Sequence, residues 1–284
     1  MTEKTTSPKK RARQAETRQV EGSICDRHLS PALRAFPADK LQLGALTGAK
    51  AQVYNQLWRP IAEGRLKPGA KLYEGVIREA VGVSRHIVYG VLQQMASEGC
   101  VTLPFNKTPH VAKPSPQEAQ DVFETLGVVM VHIVRELSQP ARTITAEEHR
   151  LLEQHVKMQA EADEANDLIT AHLLGIEFLI LLASIHGVTL LTEVVARAVV
   201  LLTLSLKLYG KFPPPPWHVA FQSNLIDAIF THRTDEAVRE FEERRTGMRN
   251  TLRFHGGEHY EHDDLAVLLA SSPLHAANPK GNAR

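Results

Sequence analysis

Ser84, Arg85, His86 and Tyr89 fall within six residues, directly behind Gly82-Val83, and together offer a hydroxyl, a guanidinium, an imidazole and a phenol. A guanidinium can fork two hydrogen bonds onto guanine or clamp a phosphate. A serine at a helix start can donate to phosphate through its hydroxyl or its backbone N–H. On a helix these side chains cannot all turn inward with Val88, Val91 and Leu92, so the spacing predicts an exposed polar edge at the helix N-terminus. Lys107, in the polar turn Asn106-Lys107-Thr108-Pro109, offers a further phosphate contact. Ser84, Arg85, His86, Tyr89 and Lys107 are therefore the candidate DNA-binding residues.

The chemistry of other functional classes is missing. There is no nucleophile elbow, phosphate loop or H-E-x-x-H motif, so an enzyme is the weakest reading. Cys25 and Cys100 make neither a disulfide framework nor a thiolate zinc site, which points to a reducing cytoplasm. His132, His172, His186 and His218 are scattered, and each reads as a surface or hydrogen-bonded core histidine. The start, MTEKTTSPKKRARQAE, has no apolar stretch and is not expected to be a secretory signal. The apolar run from Leu173 to Leu208 is interrupted by Glu177, His186, Glu193, Arg197 and Lys207, so it is expected to form buried helices and not a membrane span.

Several elements must position these groups. Val53, Leu57 and Ile61 repeat at helical spacing up to Gly64, and Leu66-Lys67-Pro68-Gly69 is a turn. Tyr73 to Val81 reads as a second helix, and Ser84 caps a third running to about Ser97. Val101-Thr102-Leu103 and His110-Val111-Ala112 flank the Asn106 turn as a short hairpin. Three helices and a hairpin make a winged helix-turn-helix whose third helix is free to enter a major groove. After Ser115-Pro116-Gln117-Glu118 the pattern is helical to about Phe254, broken at Gln139-Pro140, Gly187 and the Pro213-Pro214-Pro215-Pro216 run.

The expected fold class is mainly α, an N-terminal winged helix-turn-helix followed by an all-helical ligand-sensing bundle. The expected divisions are a disordered basic extension (1–47), the DNA-binding domain (48–114), an effector-binding and dimerisation domain (115–254) and a disordered tail (255–284) containing His255, His259 and His262. Charge follows these divisions. The whole chain carries a formal +1, yet residues 1–47 carry +4, residues 48–114 carry +5 and residues 115–284 carry −8. A basic module joined to an acidic one suits a polyanion-binding head on a different kind of body. Within the extension, Lys9-Lys10-Arg11-Ala12-Arg13 can add nonspecific phosphate contacts.

The run Ile61-Ala62-Glu63-Gly64-Arg65-Leu66-Lys67-Pro68-Gly69-Ala70-Lys71-Leu72, with Gly82-Val83-Ser84-Arg85, Val91-Leu92 and Glu98-Gly99, resembles the DNA-binding domain of GntR-family bacterial transcription regulators. The helical domain after it is similar to the ligand-sensing domain of the FadR (FCD-type) subfamily, and the resemblance covers Ala51 to about Phe254. It implies a homodimer on a palindromic double-stranded DNA operator, with a small-molecule effector in the helical domain tuning DNA affinity. The runner-up is a ligand-binding helical protein with a weakened DNA-binding head. His86-Ile87-Val88-Tyr89-Gly90 stands where the family usually has Thr-Pro-Val-Arg-Glu, Gly75 where many members carry Arg, and Thr108 where the wing usually has Gly.

Metal-binding members of this resemblance hold an ion with an Asp and a His on one helix and two later His. Aligned through Ala183-Ser184, Asp227-Ala228-Ile229 and Glu236-Ala237, those places fall on Leu173, Glu177, Gln222 and Arg244. Leu cannot ligate and an Arg cation repels an ion, so neither metal nor other cofactor is expected. Glu177, Gln222 and Arg244 become the candidate effector-binding residues. On this alignment Glu177 and Arg244 face one another as a structural ion pair, or Arg244 offers its fork to an effector carboxylate.

Overall fold

A computed structural model describes residues 28–34, 46–210, 219–253 and 265–270. Helix α1 is the single turn Pro31–Arg34. The head comprises α2 (Gly48–Glu63), α3 (Glu74–Val81), α4 (Arg85–Ser97) and the strands β1 (Val101–Thr102) and β2 (His110–Val111). The body follows as α5 (Pro116–Leu137), α6 (Ala146–Glu164), α7 (Leu168–His186), α8 (Thr189–Tyr209), α9 (Val219–Phe230) and α10 (Thr234–Asn250), with a short α11 (Leu265–Ala270) near the end. This is the expected mainly α architecture of winged helix-turn-helix and helical bundle.

Local signals explain the boundaries. Ser84 caps α4 by accepting from the Ile87 N–H, and Ser115 and Thr145 form capping boxes with Glu118 and Glu148 at the starts of α5 and α6. Gly82, at φ 73°, makes the tight turn between α3 and α4, a conformation that an L side chain resists. The helical stretch expected after the Pro213–Pro216 run is divided in two, because His232 adopts φ 56° just past the end of α9.

The wing is antiparallel, with Val101 opposite Val111 and Thr102 opposite His110, and a bridge from Lys71 to His110 adds a third stretch of chain. Head and body share α8. Its Val200 and Leu204 belong to the core of the head, with Leu57, Ile61, Leu92 and Met95, while its Val195, Val199 and Leu202 belong to the core of the body. Gly99, just past α4, comes so close that an added Cβ would lie 3.4 Å from Leu201 Cδ2. Polar ties reinforce the joint: Lys207 Nζ donates to the Ala62 carbonyl of α2 at 2.8 Å, and Tyr209 Oη to the Pro114 carbonyl at 2.7 Å. Helices α7 and α8 are long and apolar enough to cross a membrane, but most of each is buried against protein.

Two segments depart from the expected division. Residues 28–34, placed in the disordered extension, pack against α6 and α7, with Ala32 and Leu33 fully buried. Helix α11, placed in the disordered tail, buries Leu265, Leu268 and Leu269 against α2 and α3. Apolar burial holds both, at about 25 cal/mol per Å² of apolar surface removed from water. Lys9 to Arg13, Cys25, the Pro213–Pro216 run, His218, His255, His259 and His262 lie outside the described residues.

Candidate DNA-binding face and buried polar groups of the body

Helix α4 buries Val88, Val91, Leu92 and Met95 and turns Arg85, His86, Tyr89 and Gln93 to solvent, which is the division the spacing predicts. Ser84 is exposed at the start of the helix, and its hydroxyl accepts from the Ile87 N–H at 3.4 Å, which leaves its own hydrogen available to donate. The Arg85 side chain is 82% exposed and its Nε donates to Glu74 Oε2 at 3.1 Å, across the turn. The Tyr89 hydroxyl accepts from Gln93 Nε2 at 2.7 Å. Lys107 is exposed at the wing turn, where Asn106 has φ 53°. At Gly75 and Gly90 an added Cβ meets nothing within 4 Å, so the head leaves open space where a longer side chain could stand.

In the body the structure separates residues that the sequence grouped. Glu177 is buried, but its two oxygens accept from the backbone N–H groups of Leu29 (2.8 Å) and Ser30 (2.9 Å), with His28 Nδ1 at 3.6 Å. The pairing of Glu177 with Arg244 is thereby corrected: this carboxylate anchors the segment before α1. Beside it His155, fully buried, contacts Ser30 Oγ at 2.7 Å through Nδ1 and the Leu174 carbonyl at 2.9 Å through Nε2. Burial pulls the His155 imidazole below its usual range.

A different face of α7 carries His172, which nothing in its sequence surroundings singles out. It is fully buried, and its imidazole is pulled down to about 3 by burial and then by the positive charges of Lys207 and Arg244. Burial takes Lys207 down to about 7, against the opposing pull of Glu63, and lowers Arg244 as well. Gln222 is also fully buried, and neither atom of its amide has a hydrogen-bond partner. An unpaired buried amide is costly, so this position suits a bound polar group. Among the described residues no group of three or more His, Cys, Asp or Glu is placed to hold a metal ion. A separate groove of about 380 Å³ between head and body is lined by the polar Lys113, Asp121 and Arg197 and the apolar Val122, Ala198 and Leu201.

These groups make stability depend on pH. Between about pH 6.5 and 3 the unfolded chain protonates His172 and the folded one does not, so stability is expected to fall as pH drops through that window. Urea midpoints at pH 7, 5.5 and 4 measure the slope. It should flatten in His172→Gln; an equal slope in both proteins contradicts the burial argument.

Residues 49–104 match the bacterial regulatory proteins of the gntR family. The head is thus a gntR-type helix-turn-helix domain, and the fold extends the likeness over the body. A structural-genomics GntR protein from Rhodococcus sp. RHA1 superposes with a TM-score of 0.61 at 19% identity, over 72% of this chain and 99% of that one. The E. coli protein McbR/YncC gives a TM-score of 0.60 at 16% identity, over 71% and 95% respectively. At these identities the likeness is one of fold. No curated protein matches the sequence.

Proposed function

We propose that the chain is a cytoplasmic transcription regulator of the FadR (FCD) type, not an enzyme, acting as a homodimer whose operator affinity responds to a small organic acid. The observation that carries this reading is the exposed N-terminal edge of α4, with Ser84, Arg85, His86 and Tyr89 clear of the core in a gntR-type head. Residues 48–114 are read as the DNA-binding domain and 115–254 as the effector and dimerisation domain. One recognition helix places three or four side chains on base edges, too few to specify a site alone. Two copies on a dyad double the reading.

The effector reading rests on Gln222, His172, Arg244 and Lys207. A carboxylate beside His172 would offset the positive charges that Lys207 and Arg244 direct at it, and the buried Gln222 amide, which has no hydrogen-bond partner, is a second polar group of the body that an effector would satisfy. Because Lys207 also donates to the Ala62 carbonyl of α2, an anion that draws its ammonium away loosens one tie between body and head. A coupling of about 1–3 kcal/mol, some 5–150-fold in DNA affinity, is the usual scale of such linkage.

The test titrates a panel of small carboxylates against the full chain, following melting temperature and DNA affinity. One member should raise melting and change DNA affinity, and Arg244→Ala should abolish the response while the variant still binds DNA. A panel without effect on either quantity, or a response unchanged by Arg244→Ala, contradicts the effector reading. The competing account, a ligand-binding bundle with a weakened head, predicts the melting shift without DNA binding.

A further inference from the structure

The wing holds a side chain that phosphate chemistry does not explain. Phe105 is 90% exposed, more than any other large apolar side chain among the described residues. It stands at the tip of the β1–β2 hairpin. Behind it the Lys107 N–H donates to the Pro104 carbonyl at 3.3 Å, and Asn106, at φ 53°, turns the chain back. The base is pinned by the pairing of Val101 with Val111, by the Leu72 N–H donating to the Pro109 carbonyl at 2.7 Å and by the bridge from Lys71 to His110. The base of the hairpin is thus braced from both strands, and the ring projects from its tip.

The surroundings select the partner. From Gly99 to Gln117 the chain holds Lys107, Lys113 and His110 and not one Asp or Glu. A protein groove that accepts a phenyl ring does not ask for charge of one sign after it, whereas a polyanion with an apolar interior does. Duplex DNA is that partner: phosphates outside, stacked bases inside. A rigid apolar side chain beside cations can enter the minor groove, wedge adjacent base pairs apart and kink the helix, at an unstacking cost that closer wrapping offsets.

We propose that Phe105 is a DNA-deforming wedge, whose ring inserts between neighbouring base pairs of the minor groove while Lys107 holds the adjoining phosphate. The proposal rests on the DNA-binding reading above and adds to it that the operator is bent at the wing, most readily at a pyrimidine–purine step.

The experiment uses the full chain and the DNA fragment it protects. Bend angle is read from circularly permuted fragments in a gel, and unstacking from the fluorescence of 2-aminopurine placed at the wing-proximal step. Phe105→Ala is expected to reduce the bend, abolish the fluorescence rise and weaken binding about 10-fold, while leaving the slope of log affinity against log salt and the melting temperature unchanged. Phe105→Leu should keep some of the bend, and Lys107→Ala should lower the salt slope by about one contact while the bend remains. The same bend and fluorescence in Phe105→Ala as in the parent overturn the wedge and leave the regulator reading standing. A change of sedimentation in Phe105→Ala overturns it in favour of a contact between protein chains. A parent protein that protects no DNA removes both readings.

Discussion

Glu177→Ala is expected to lower stability by about 2–4 kcal/mol, because it leaves the buried or half-buried N–H groups of Leu29 and Ser30 without their acceptor. The chain has one way to limit the loss: residues 28–34 can lift off the groove between α6 and α7, letting water satisfy the two N–H groups while exposing Leu33 and Ala32. The loss is therefore bounded by the free energy of docking this segment. Glu177→Gln should fall between, since its carbonyl oxygen still accepts from one N–H while its amino group faces the other. Chemical unfolding gives the magnitude, and hydrogen exchange at Leu29 and Ser30 shows whether loss is global or confined to the segment. Parental stability together with parental protection of those two amides in Glu177→Ala would contradict the anchoring role.

The second large effect is on DNA. Arg85→Ala is expected to weaken operator binding by about 1–3 kcal/mol, the range of a bidentate contact to a base. Fold stability should barely change, because the side chain is 82% exposed and its pairing with Glu74 is a surface pair of the kind that contributes about 0–1 kcal/mol. Glu74 gives the prediction a second arm. Its carboxylate holds Arg85 in the free protein and repels phosphate, so Glu74→Ala should tighten binding. A gel-shift titration of the two variants checks both signs; unchanged affinity in both removes Arg85 from the interface.

The contrast between these two residues explains what the sequence could tell. Arg85 was legible because its signals are local: Gly82 for the turn, Ser84 for the cap, and the alternation of Val88, Val91 and Leu92 with polar neighbours, all within a few residues. The capping boxes at Ser115 and Thr145 fixed α5 and α6 in the same way. The partners of Glu177 lie 148 and 147 positions away and are backbone N–H groups, which carry no side-chain signature, so no periodicity pointed to them. The landmarks of the resemblance set Glu177 against Arg244, but α7 turns Glu177 toward residues 28–30 and His172 toward Lys207 and Arg244. A lone histidine on an apolar helix is ordinary until the charges around it are known. Helix α11 was missed for a related reason, since six residues are too few to show a helical period and its burial depends on the distant α2 and α3.

Whether α4 reads duplex DNA is decided by a nuclease footprint of the full chain, beside Arg85→Ala, on the intergenic DNA next to its own gene. The account predicts a protected region made of two half-sites related by a dyad, with affinity falling steeply as salt rises and protection by Arg85→Ala lost at concentrations where the parent protects fully. No protection at low salt, or protection that Arg85→Ala reproduces at the same concentration, contradicts it.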